Sequence, residues 1–351
     1  MKKIVGIIAA LAMASAVFAA DISAKVELDG NFFKYDGASK AISALNVDKP
    51  GDQHWNPVFS ASVSGDNAGA SFCVFSGNKV DGTGLITGVD LTDPAKPDLK
   101  TTSLFGWNNG KALAGRNWQI WMSPADGLKF TIGKIDTNLN QEQITWSGTK
   151  LNIDSNGFGV NFGLDALSID LFFTPDLGNN WMSKPDGGDM AIGDTALKLS
   201  YGADFGNIGF LYKAANTFKT NTIALGYSNN FDAVFAFLNV GATFADGADM
   251  ALRVEAFAKG SADAFGWAVW VPFDYQAKAA VGAIVELTYA LDGATAYFRF
   301  NDGNFLGDAF AAEFRLGAKG SVGGAGWNIW AQIDAGSATS FSVPFELSYG
   351  F

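Results

Sequence analysis

The last eleven residues, Phe341-Ser-Val-Pro-Phe-Glu-Leu-Ser-Tyr-Gly-Phe351, alternate without a break. Odd positions carry Phe341, Val343, Phe345, Leu347, Tyr349 and Phe351, while even positions carry Ser342, Pro344, Glu346, Ser348 and Gly350. Side chains of a strand point to opposite faces in turn, so this pattern predicts a strand with one apolar and one polar face. The same alternation recurs along most of the chain. It predicts strands over 22–35, 55–64, 68–76, 117–122, 128–133, 158–164 and 169–173. From Thr195 the spacing tightens, with strands over 195–202, 206–213, 221–228, 232–243, 248–258, 264–272, 279–290, 294–301, 309–318, 325–334 and 340–351. The total is 18, with 16 as the alternative count. Many of these strands approach the ~9–11 tilted residues that cross a bilayer core. Ala233 to Phe244 is apolar on both faces and fits the alternation least well.

The connections carry a second pattern. Those after even strands are short, at 65–67, 123–127, 165–166, 203–205, 229–231 and 291–293. The long ones, 36–54, 77–115, 134–156 and 174–194, all follow odd strands. An even strand count then puts both ends of the chain on the short-turn side. Four segments share the order apolar-x-Leu-x-Tyr: Leu197–Tyr201, Ile223–Tyr227, Val285–Tyr289 and Phe345–Tyr349. Each ends an even strand just before its turn. A ring with a polar hydroxyl suits the level where hydrocarbon meets headgroups, so Tyr201, Tyr227, Tyr289 and Tyr349 read as one rim of an aromatic girdle.

Met1-Lys2-Lys3 followed by the apolar run Ile4 to Leu11 and the Val17-Phe18-Ala19 site reads as a signal peptide of residues 1–19, leaving a single domain of residues 20–351. The terminal aromatic strand resembles the C-terminal signature of bacterial outer-membrane β-barrels, and the hairpin Trp118-Gln-Ile-Trp … Leu128-Lys-Phe-Thr-Ile-Gly-Lys134 resembles those of porins. That resemblance implies an all-β fold, a transmembrane antiparallel up-and-down barrel in the outer membrane. It implies outer-membrane lipids and the barrel assembly machinery as partners, with Phe351 completing the assembly signal, and it leaves homotrimer formation open. A soluble two-sheet sandwich would show the same alternation, but not the leader together with the terminal Phe351.

Composition narrows the function. Counting Lys and Arg against Asp and Glu gives −11, and loss of Lys2 and Lys3 with the leader leaves 22 basic against 35 acidic residues, or −13. That balance disfavours nucleic acid as a partner. The single His54 sits in a loop beside Trp55 with no recognisable partner motif, so no catalysis is expected. One cysteine and one histidine cannot make a zinc site, and neither a metal nor a cofactor is expected.

The polar alternates carry the strand charges: Arg253 and Glu255, Glu286, Arg299, Glu313 and Arg315, and Glu346. On the lipid face a charge costs ~2–4 kcal/mol at the midplane, so these residues must face the lumen. A barrel of ~16–18 strands leaves an aqueous channel. The function this predicts is a porin for passive diffusion of ions and small hydrophilic solutes. The acids outnumber the arginines, which predicts a weak preference for cations. The alternative is a surface structural protein or adhesin working through its long external loops. The porin resemblance further implies a loop folded into the lumen, for which 134–156, with Asp136, Glu142 and Asp154, holds the expected position. The stretch 77–115 is the rival lid.

Overall fold

The computed structural model describes residues 21–46, 58–75, 86–90, 98–101, 118–142, 144, 151–174, 182–183, 191–215, 217–307 and 311–350. The expected leader, His54 and Phe351 lie outside the described residues. The wall comprises β1 (Asp21–Asp36), β2 (Ala41–Asn46 continued by Val58–Ser64), β3 (Ala68–Phe75), β4 (Trp118–Ala125), β5 (Leu128–Asn138) and β6 (Asn152–Leu164). It continues through β7 (Leu167–Phe173), β8 (Thr195–Ala203), β9 (Gly206–Ala215), β10 (Thr220–Phe231), β11 (Val234–Ala245) and β12 (Ala251–Ala262). The last six are β13 (Phe265–Gln276), β14 (Lys278–Val281 continued by Ala283–Leu291), β15 (Ala294–Asp302), β16 (Ala312–Val322), β17 (Ala325–Ala335) and β18 (Ser340–Gly350).

Each strand is antiparallel to its neighbours, and β1 pairs with β18 from Lys25↔Gly350 to Tyr35↔Phe341, closing an 18-stranded barrel. Closure leaves no open sheet edge, the condition for a sheet to sit in hydrocarbon. A proline has no N–H to donate, so the ladder is interrupted at Pro124, Pro272 and Pro344. Opposite Pro272, Gly282 separates the halves of β14 while its own N–H still reaches the Pro272 carbonyl at 2.9 Å. Pro344, in the middle of β18, faces a bulge between Asn31 and Phe33 on β1. The extra residue, Phe32, lays its ring 4.6 Å from Phe345.

The outward face is apolar, from Ile120 and Leu225 to Leu287, Phe298 and Leu316. Tyr201, Tyr227, Tyr289 and Tyr349 are all exposed on this face. Tyr201 and Tyr227 both pair with Ile208, and the Tyr227 hydroxyl donates to the Phe205 carbonyl at 2.6 Å. Three of the short turns open on an aspartate in the left-handed region, Asp165, Asp232 and Asp263, each followed by alanine. Asp tolerates that conformation better than most residues, which allows a two-residue turn.

Sequence expectations change at several connections, among them the turn read over 229–231, which lies at Asp232-Ala233 because β10 continues to Phe231. The connection read over 36–54 is a tight turn at 37–40 followed by the first part of β2. There the Asp36 carboxylate accepts the Ala38 and Ser39 N–H groups at 3.0 and 2.8 Å. The turn read over 123–127 shrinks to Asp126-Gly127, because β4 continues to Ala125. The stretches 77–115 and 174–194 contain short hairpins, Ile86–Asp90 with Asp98–Thr101 and Met182–Ser183 with Ala191–Ile192.

Candidate functional site: the lumen and its inward loop

The connection between β5 and β6 is shorter than its polar sequence suggests. The ladder runs on to Asn138↔Asn152, so Asp136 and Asp154 are directly paired strand residues and not loop residues. Asp136 shares the face of exposed Ile132, opposite to Ile135 and Thr137. Ile135 is buried inside the barrel, and Thr137 receives a hydrogen bond from Lys198 Nζ at 3.0 Å. Of the three predicted acids, only Glu142 belongs to the connection.

From Leu139 the chain turns into the barrel and lies against the inner wall. Its stems join an apolar cluster inside the lumen, where Leu139 and Leu151 pack with Ile135, Ile153, Phe172, Ala196, Leu211 and Ala224. Further along, Ile144 is buried in a second cluster made by Phe237, Phe257, Trp270 and Ile284. This accounts for the two apolar faces of β11. One faces outward, and the other, with Phe235 and Phe237, meets the inward loop.

A polar clamp lies between the two clusters. Asn140 Nδ2 donates to Asn239 Oδ1 at 2.8 Å, and Asn239 Nδ2 donates to the Asn140 carbonyl at 3.1 Å. The same Asn239 amide reaches Glu255 Oε2 at 3.2 Å. Glu255 in turn accepts from Arg253 Nε at 3.0 Å, and the other arm of Arg253 meets Asp274 at 2.5 Å. Asn239 and Glu255 are wholly buried and Arg253 nearly so. Arg253 and Glu255 therefore face inward as their positions in the strand require, and both are buried there. The last contact faces the channel, with Lys259 Nζ 2.8 Å from Glu142 Oε1 and 5.3 Å from the centre of the Phe235 ring.

Across the barrel, β14 to β18 and β1 border a cavity of about 820 Å³. Glu286, Arg299, Arg315 and Glu346 line it, joined by Lys25, Glu27 and Lys319. Arg299 and Arg315 are direct cross-strand partners, an arrangement that like charges disfavour. Each is drawn to its own acid. Arg299 Nε donates to Glu286 at 2.8 Å, and Arg315 Nε lies 2.7 Å from Glu313. Glu346 accepts from Asn328 Nδ2 at 3.0 Å, and Lys319 lies 5.7 Å from the Tyr297 ring centre. Sequence reasoning passed over Lys25, Glu27 and Lys319. Their inward register on β1 and β16 was available from the same alternation that singled out Glu346 and Arg315.

No family model matches the chain, and no curated protein matches it. Solved structures do. OccK1 (OpdK) of Pseudomonas aeruginosa superposes with a TM-score of 0.56 at 12% identity, covering 94% of this chain and 98% of that one. OccK9 (OpdG) of the same organism gives 0.53 at 11% identity, over 95% and 98%. A further structure of OpdK, described as an outer membrane protein, gives 0.55 at 11% identity, over 94% and 98%. The chain has the fold of a bacterial outer-membrane β-barrel. At this identity the likeness is one of fold. It bears out the class expected from the terminal strand, and the strand count of the outer-membrane barrel is the larger of the two expected. The chain spans nearly the whole of each of these three structures.

Proposed function

We propose that this chain is an outer-membrane porin, a water-filled channel for passive diffusion of ions and small hydrophilic solutes. The observation that carries the reading is the division of the lumen. One side is occupied by a loop packed on apolar clusters, and the other keeps a cavity bordered by charged side chains. A lumen meant only to hold a surface scaffold gains nothing from an aqueous charged wall, whereas a narrowed polar passage filters by size. No comparable observation favours the adhesin reading.

Selectivity follows from the charges left over. The lumen arginines are each matched by a carboxylate, so the chain's excess of acids makes the pore mouths electronegative and the channel weakly cation-preferring. Outer-membrane lipids cover the apolar band, and the barrel assembly machinery inserts the chain by its last strand. Trimer formation is compatible with this reading. Purified, heat-modifiable protein added to a planar bilayer is expected to give discrete conductance steps. Folded protein that gives none would overturn the porin reading.

A further inference from the structure

Three glycines on neighbouring strands sit under the inward loop. Gly209 and Gly226 are direct partners on β9 and β10, Gly226 is opposite Asn239 on β11, and Gly241 lies farther along β11. A Cβ at Gly226 would stand 2.7 Å from both Asn140 Nδ2 and Asn239 Oδ1, and 3.3 Å from Leu139 Cβ. One at Gly241 would stand 2.5 Å from Leu151 Cδ2 and 3.0 Å from Ala224 Cβ. One at Gly209 would meet Leu139 Cδ2 at 3.0 Å. In each case the nearest atom belongs to the loop stem, or to the loop and its clamp together.

We propose that these glycines form a groove cut into the inner wall, and that the groove, not the charge pair at Lys259, sets how far the loop stands into the channel. The inference rests on the porin reading for its functional meaning, but its geometry stands apart from it. The Glu142–Lys259 pair is partly exposed, at 26% and 44% of the two side chains, and ion pairs that reach water contribute little. The groove lets the stem approach the wall by the depth of a side chain, which lets Asn140 reach Asn239 and seats Ile144 among Phe237, Phe257 and Trp270. Filling it moves the loop toward the channel axis and unseats Ile144. The sequence carries the signal in retrospect, as glycines on the lumen face of three adjacent strands.

The test uses full-length protein with Cys73→Ser, so that a probe cysteine at Ile144→Cys is the only thiol. Its reaction rate with a water-soluble maleimide and the single-channel conductance are measured with and without Gly226→Ala, alone and with Gly241→Ala. Heat-modifiable mobility checks folding. Overpacking a close contact shifts the seating equilibrium enough for the labelling rate to rise about tenfold or more. Conductance, read on the same glycine variants carrying native Ile144, should fall below that of the parent. Glu142→Gln should leave the labelling rate nearly unchanged. Should Gly226→Ala fail to fold, Gly209→Ala, whose clash is with the flexible end of Leu139, should give a smaller change in the same direction. Unchanged labelling and conductance in a folded glycine variant would overturn the groove, as would a rise in labelling from Glu142→Gln larger than that from the glycine variants. Labelling that responds in a protein without channel activity would sink the porin reading and leave the groove standing.

Discussion

Replacing Arg253 by methionine isolates what a buried charge does in this wall. Arg253 touches two carboxylates, Glu255 at 3.0 Å and Asp274 at 2.5 Å, and Glu255 has no exposed surface. Methionine fills much of the same volume but leaves Glu255 without its guanidinium, with the Asn239 amide still donating at 3.2 Å. Breaking a buried pair by removing one partner costs ~3–5 kcal/mol, whereas an exposed pair is worth ~0–1 kcal/mol. Asp274 adds little to that cost, because about a third of its side chain reaches water. The expected loss is therefore larger than that of Arg299→Met, whose partner Glu286 keeps some contact with the cavity. The double variant Arg253→Met/Glu255→Met should recover most of the loss, because it removes the buried carboxylate together with its guanidinium. Urea unfolding of the barrel in lipid vesicles, followed by tryptophan fluorescence, measures all three. A cost for Arg253→Met no larger than for Arg299→Met, or a double variant no better than the single, would refute the reasoning.

Two further outcomes follow. In a salt gradient the reversal potential should favour cations weakly, with the preference fading as salt shortens the Debye length below ~8 Å. Glu286→Gln and Glu346→Gln should move it toward anions and Arg299→Gln the other way. A parent channel that selects anions would contradict the charge assignment. Facing can be tested by stability alone: Leu316→Lys on the outer wall should cost ~2–4 kcal/mol, while Asn301→Lys, on the inner face opposite Glu313, should stay within about 0.5 kcal/mol. A larger cost for Asn301→Lys than for Leu316→Lys would mean the two faces are reversed.

The membrane barrel was legible because its signals are local. Alternation reports directly which side chains share a face, since successive residues of any strand point opposite ways, and Leu316, Phe298 and Ile329 came out on the exposed side from that rule alone. Tight turns that join neighbouring strands also announce themselves, and the recurring Asp-Ala at 165, 232 and 263 would have sharpened those boundaries further. The six-residue segment Ala41–Asn46 escaped because it is too short to establish a period before the chain leaves it. The lumen was decided otherwise. Whether Phe257 meets water or packs under the loop depends on Ile144, more than 100 positions earlier in the chain, finding a cluster contributed by several strands. Alternation says that a residue points inward and cannot say what already occupies the space it points into. Phe235 and Phe237 blurred the pattern of β11 for that reason: an inner face is polar only where it meets water, and there it meets the protein's own loop.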